Sequence, residues 1–131
     1  MVTDLPELPG LPDLKDSRAV LIGPSRYRTL HPLPSVATSV ADLKDVPTSP
    51  DGWGLPASHC RTVLEPSSPA VFFDAVHEAA QEAADTLVVF YPGHGLLDDR
   101  GDLYPAVPDS DKGRAYSTAV PYAWFRRELP R

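Results

Sequence analysis

LVVFYPGHG, residues 87–95, carries five apolar side chains into Pro92, Gly93, His94 and Gly95. An unbroken apolar run rich in β-branched and aromatic residues, closed by Pro-Gly, reads as a strand covered on both faces and interior to a parallel sheet. In open sheets of that kind, ligands and catalytic groups gather at the carboxyl ends of the strands. Histidine exchanges protons near neutral pH, and glycines beside it permit a sharp turn and bring an amide N–H close to a bound molecule. His94 therefore reads as a proton-transfer group, with the Gly95 N–H as an oxyanion donor. On the tripeptide alone, a histidine that only hydrogen-bonds its own loop stands as an equal alternative.

Outward from this stretch the same rhythm recurs. RAVLI (18–22), stopped by Gly23-Pro24-Ser25, is a first covered strand, and CRTVL (60–64) a second. Between them Val36, Val40 and Leu43, spaced i, i+4, i+7 behind Pro34-Ser35, mark a helix with one buried stripe. Ser68-Pro69 supplies an N-cap and a proline at the first helical position, and Phe72, Ala75, Val76, Ala79 and Ala83 share one face. Thr86–Tyr91 is the third strand; Asp98-Asp99-Arg100-Gly101 is a turn, and DLYPAV (102–107) an extended piece that Pro105 confines to an edge. Pro121 opens a last helix with Trp124, Phe125 and Leu129. Strand, helix, strand, helix, strand predicts an α/β fold with a mainly parallel sheet and right-handed crossovers.

The 131 residues fit one domain, 17–131, preceded by a flexible Pro-rich arm over 1–16, where Leu alternates with Pro, Asp and Glu. A net charge of −6 with scattered Lys and Arg argues against nucleic-acid binding. No apolar run reaches the roughly 20 residues of a membrane span, and no signal peptide opens the chain, so a cytoplasmic location is expected. One cysteine, Cys60, excludes an internal disulfide or a multi-cysteine zinc site. A dinucleotide loop fails because Asp98 stands where the third glycine belongs, and Asp98 and Asp99 beside His94 lack a further histidine for a metal site. Neither cofactor nor metal is expected.

RAVLIG (18–23), SVATSVADL (35–43), the helix after Ser68, LVVFYPGHG (87–95) and GDLYPAVPDSD (101–111) together resemble the caspase-like cysteine peptidases, most of all their bacterial, actinobacterial-type members linked to conflict systems. The resemblance runs from about Arg18 to Leu129, and Tyr-x-Gly-His-Gly at the end of a strand is its most specific element. It implies a partial caspase-like (caspase-haemoglobinase) three-layer α/β fold without the later core strands. It also implies a cysteine endopeptidase acting on a protein or peptide, with His94 as the catalytic histidine and Gly95 as an oxyanion-hole donor. The family's nucleophile lies at the end of the next core strand in an Asp-x-Cys context, which these residues do not contain. Cys60 opens the second strand, whereas His94 follows the third, so the two are expected at opposite ends of the sheet, roughly 15 Å apart at about 3.3 Å per residue. His59 points to the other face from Cys60, His31 belongs to a solvated loop that can line the same crevice, and His77 lies on a polar helix face.

Family members that cleave after aspartate place an arginine in the loop after the first strand. Leu33 stands there, with Arg26 and Arg28 nearby, while Asp109 and Asp111 fit a basic substrate residue or simple solvation. The expected function is thus the His-bearing part of a caspase-like endopeptidase, inactive unaided, or a catalytically inactive binding or regulatory module. Either way, losing the strands beyond the third leaves an apolar edge that pairs with a second chain or with itself.

Overall fold

Arg18–Gly23 (β1) is buried from Ala19 to Gly23 because it has neighbours on both sides and a helix on each face. This is a computed structural model that describes residues 14–128. β1 lies at the centre of a three-stranded parallel sheet of order β2-β1-β3, between Cys60–Leu64 (β2) and Leu87–Phe90 (β3). The register pairs Ala19 with Cys60 on one side, and Ala19 with Val88 and Leu21 with Phe90 on the other.

Side chains alternate across the pleat, so β1 feeds two cores. Ala19 and Leu21 join Val36, Val40, Leu55 and Cys60 beneath the helix Ser35–Thr48 (α1). Val20 and Ile22 join Phe72, Ala75, Val76 and Ala79 of Pro69–Glu82 (α2), together with Phe125. The two helices lie on opposite faces because the chain steps from β1 to β2 in one direction and from β2 across to β3 in the other. A constant right-handed crossover then reverses the face. The N-cap read from Ser68 is present, its Oγ accepting the Val71 N–H at 3.2 Å.

The composition of the third strand reads as interior to a sheet, whereas the lack of the later strands leaves it an edge; β3 is an edge among the described strands, and Val88 and Val89 are 41% and 38% exposed. Its apolar composition signals burial, but pairing is decided by which strands lie beside it, and only β1 does. DLYPAV was expected as an extended piece confined to an edge, with no partner strand named. Leu103–Pro105 (β5) instead pairs antiparallel with Gly95–Leu97 (β4), a strand the sequence did not announce, and Gly101 takes the positive φ of +81° that the intervening turn requires.

A short helix, Ala115–Thr118 (α3), follows, and Tyr122–Glu128 (α4) seats Phe125 in the α2-side core while Trp124 meets the Phe73 ring edge-on. Leu129 and residues 1–13 of the expected arm lie outside the described residues. Residues 14–16 belong to the fold: the Asp16 carbonyl accepts the N–H groups of Ala84 and Asp85, and the Lys15 carbonyl accepts from the Arg18 guanidinium. Among the described residues no helix is long and apolar enough to cross a membrane.

Candidate functional site

The order β2-β1-β3 turns back on itself at β1, so the loops leaving the carboxyl ends of β1 and β3 flank the crevice where such sheets receive ligands. His94 arrives from β3, four residues beyond Phe90, and the loop from Pro24 to Pro34 arrives from β1. The two meet. The His94 N–H donates to the Tyr27 hydroxyl at 3.1 Å, and the rings of Tyr27 and His94 pack edge-on with centroids 4.8 Å apart. His94 Nε2 lies 2.9 Å from the His31 carbonyl oxygen.

A carbonyl only accepts, so Nε2 carries the proton and, in the neutral ring, Nδ1 keeps the lone pair. No partner meets Nδ1 among the described residues, which leaves it as the nitrogen available for proton transfer. This is the arrangement of a general base held by a third group.

The backbone of His94 is fixed from below. Its carbonyl accepts the Ala106 N–H at 2.9 Å, and the Tyr91 hydroxyl lies 2.7 Å from the same oxygen and 2.6 Å from the Ala106 carbonyl. Burial, followed by the Tyr27 hydroxyl beside it, pushes the Tyr91 phenol far above its usual range, so it remains a donor. Gly95 faces Pro105, which has no N–H, in a non-hydrogen-bonded pair of the β4-β5 ladder, so the Gly95 N–H points away from β5.

For Gly93 the structure gives a reason the sequence did not show. Neither Gly93 nor Gly95 has positive φ. Gly93 is demanded by space: a Cβ there would lie 2.5 Å from the Tyr91 ring carbon Cζ and 2.8 Å from Tyr27 Oη.

Glu65, at the carboxyl end of β2, holds the β1 loop. Its Oε1 accepts the Ser25 N–H and, at 2.7 Å, the Ser25 hydroxyl, while Oε2 lies 3.1 Å from the Arg26 amide nitrogen. Sequence reasoning missed Glu65 and Tyr27, which carry no periodic or motif signal, the bracing role of Tyr91, which it noted only as part of Tyr-x-Gly-His-Gly, and the His31 carbonyl, which no side-chain pattern encodes. It also missed the pair of His77 Nδ1 with Glu128 Oε1 at 2.8 Å, which links α2 to α4.

Cys60 stands level with Ala19 at the amino end of the sheet, buried against α1. Burial pushes its thiol up, only partly opposed by Lys44, which disfavours the thiolate. His59 binds elsewhere, its Nδ1 3.0 Å from the Arg18 guanidinium. The His31 side chain is exposed, and its carbonyl is what enters the crevice. Leu33 packs against the α1-side core; Arg28 forms an exposed pair with Asp109 at 3.9 Å, and Asp111 caps the turn at Lys112–Arg114. Among the described residues no three His, Cys, Asp or Glu side chains converge as a metal site.

Asp98 ties the β4-β5 turn. Its Oδ1 accepts the N–H groups of Arg100 and Asp102, both at 2.9 Å, and its Oδ2 the Tyr104 hydroxyl at 3.0 Å. These bonds, the backbone N–H of Asp102 foremost, hold its carboxyl below the ordinary value of 3.8. A depressed folded-state pKa makes the stabilising contribution complete above the unfolded value and loses it as pH falls through the folded one. Amide-exchange protection at Arg100 and Asp102 is therefore expected to persist down to about pH 4 and fade below it, and Asp98→Asn to flatten that dependence.

No protein-family model, curated protein or solved structure matches the chain.

Proposed function

We propose that the chain is the His-bearing, amino-terminal part of a caspase-like cysteine endopeptidase with a partial caspase-like fold, whose thiol comes from outside these 131 residues. The observation that carries the reading is the oriented imidazole: Nε2–H donates to the His31 carbonyl, and Nδ1 is left open at the carboxyl edge of a parallel sheet. The outward Gly95 N–H supports it further. In this mechanism Nδ1 takes the thiol proton, and the thiolate attacks the peptide carbonyl. The oxyanion accepts a hydrogen bond from the Gly95 N–H, and the proton passes from Nδ1 to the leaving amine. Water, deprotonated by the same nitrogen, then hydrolyses the thioester and frees the thiol.

A second reading, a non-catalytic binding or regulatory module of the same fold, is favoured by the buried, protonated thiol of Cys60 at the far end of the sheet. The two readings separate when the chain is mixed with a polypeptide carrying an Asp-x-Cys strand and assayed on a fluorogenic peptide panel. The endopeptidase reading expects turnover in the mixture and none from either component. A stable complex without turnover supports the module and overturns the first reading.

Both readings require a partner at the β3 edge. There a cavity of about 420 Å³ opens between β3, β5 and α4, lined by Leu87, Val89, Tyr91, Leu103 and Phe125 among others. Unpaired apolar edges recruit strands, and a charge placed on them blocks pairing. Light scattering of the chain alone is expected to give a mass above the monomer, and Val89→Lys to return it to the monomer. A monomeric wild type at high concentration would contradict this.

A further inference from the structure

We propose that Glu65 is a positioning residue for His94, acting through the β1 loop rather than by contact. The inference rests on the reading of His94 as the proton-transferring group and extends it to a residue two strands away.

Glu65 has φ of +51°, a conformation that a side chain with a Cβ enters at a cost. Glycine would occupy it freely. The carboxylate explains why glutamate stands there: it gathers the Ser25 N–H, the Ser25 hydroxyl and the Arg26 N–H, three donors at the very start of the loop. Ser25 is nearly buried, so its N–H and hydroxyl have little access to water. An unsatisfied backbone donor in that position is costly, and a carboxylate receiving several of them makes strong, charge-assisted bonds.

From that clamp the loop runs directly to both contacts on His94. Tyr27 follows Arg26 by one residue, and its hydroxyl and ring hold the His94 N–H and imidazole. The far arm returns through the Leu33 N–H, which donates to the Ser25 carbonyl at 2.8 Å, and it carries the His31 carbonyl that receives Nε2–H. The middle is tethered at Arg28 N–H to the Pro108 carbonyl and at Thr29 Oγ1 to the Ser110 carbonyl, each at 2.9 Å. The Ser25 end is held by the Glu65 side chain, one residue beyond β2. Removing that carboxylate frees the anchor from which Tyr27 and His31 are both placed.

The test reads the tautomer of His94 by nitrogen-15 NMR of the free chain, which needs neither the missing thiol nor a substrate. The wild type is expected to show the Nε2–H form in excess. Glu65→Gly removes the carboxylate while relieving the positive-φ cost, so a purely conformational role predicts a more stable protein with an unchanged tautomer ratio. The positioning role predicts that the ratio of Nε2–H to Nδ1–H falls several-fold, up to about tenfold, the worth of one hydrogen bond. Added acetate, able to occupy the vacated donors, is expected to restore part of it.

Glu65→Gln, which keeps the side-chain shape and one accepting oxygen, is expected to fold and give an intermediate ratio. An unchanged ratio in either folded variant overturns the inference. Should the mixed assembly hydrolyse no peptide while the ratio still responds to Glu65, the coupling stands and the endopeptidase reading falls. Turnover with an unresponsive ratio does the opposite: the endopeptidase reading stands and the coupling falls.

Discussion

His94→Ala is expected to lower peptide hydrolysis by the completed assembly by about 10²–10⁴-fold, the usual worth of a positioned general acid-base group. The loss should be chemical rather than structural. The substitution keeps the backbone N–H that donates to Tyr27 and the carbonyl that accepts from Ala106, and it removes a half-buried ring with one edge-on aromatic contact and one exposed hydrogen bond to the His31 carbonyl. Urea unfolding of the variant is accordingly expected within about 1 kcal/mol of wild type, the range of a modest truncation outside the core. Rates measured with saturating complementing segment are the appropriate comparison, since Val88 and Val89 at the edge are remote in function from the imidazole. Unchanged turnover would remove His94 from the mechanism, and with it the functional proposal.

The largest effect on stability belongs to Phe72. It is 1% exposed, and its ring lies between those of Tyr91 and Phe125, with centroids 5.2 and 5.3 Å away. Phe72→Ala leaves a void that the surrounding helices can fill only in part, and about 3–5 kcal/mol of stability is expected to go with it. That is a large share of the roughly 5–15 kcal/mol that holds a domain folded, and it corresponds to a fall in melting temperature on the order of 10 °C. Tyr91 also braces the His94 carbonyl, so the variant should weaken the site while the chain remains folded: the Nε2–H preference of His94 is expected to diminish. Chemical denaturation gives the first number and nitrogen-15 NMR the second. A loss under about 1 kcal/mol would mean that α2 and α4 close over the missing ring.

Most of the elements were legible because each has a strong local cause. The β1 and β2 spans, the Ser68 cap and the buried stripe of α2 follow from unbroken apolar runs, a hydroxyl before proline and a 3.6-residue period. Strand β4 was not legible. Gly95, Leu96 and Leu97 have little strand character, and only the antiparallel partner Leu103–Pro105 makes them one. Composition alone does not show the edge position of β3, since an apolar strand looks the same whether or not its second neighbour is present; the expectation of an edge came from the resemblance, through the strands these residues lack.

The same division runs through the site. His94 was found because glycine, histidine and glycine after a strand are a chemical signal in themselves. The groups that orient it were not found. The Tyr27 hydroxyl, the His31 carbonyl and the Glu65 carboxylate lie 67, 63 and 29 positions away along the chain. By itself the sequence determined where β1, β2 and β3 and the main helices lie, which face of α1 and α2 is buried, and that an imidazole leaves the sheet at residue 94, because these depend on neighbours within a few residues. Which nitrogen of that imidazole is free and why Gly93 admits no side chain were decided only when parallel pairing brought the ends of β1, β2 and β3 together, because each depends on atoms that only folding places side by side.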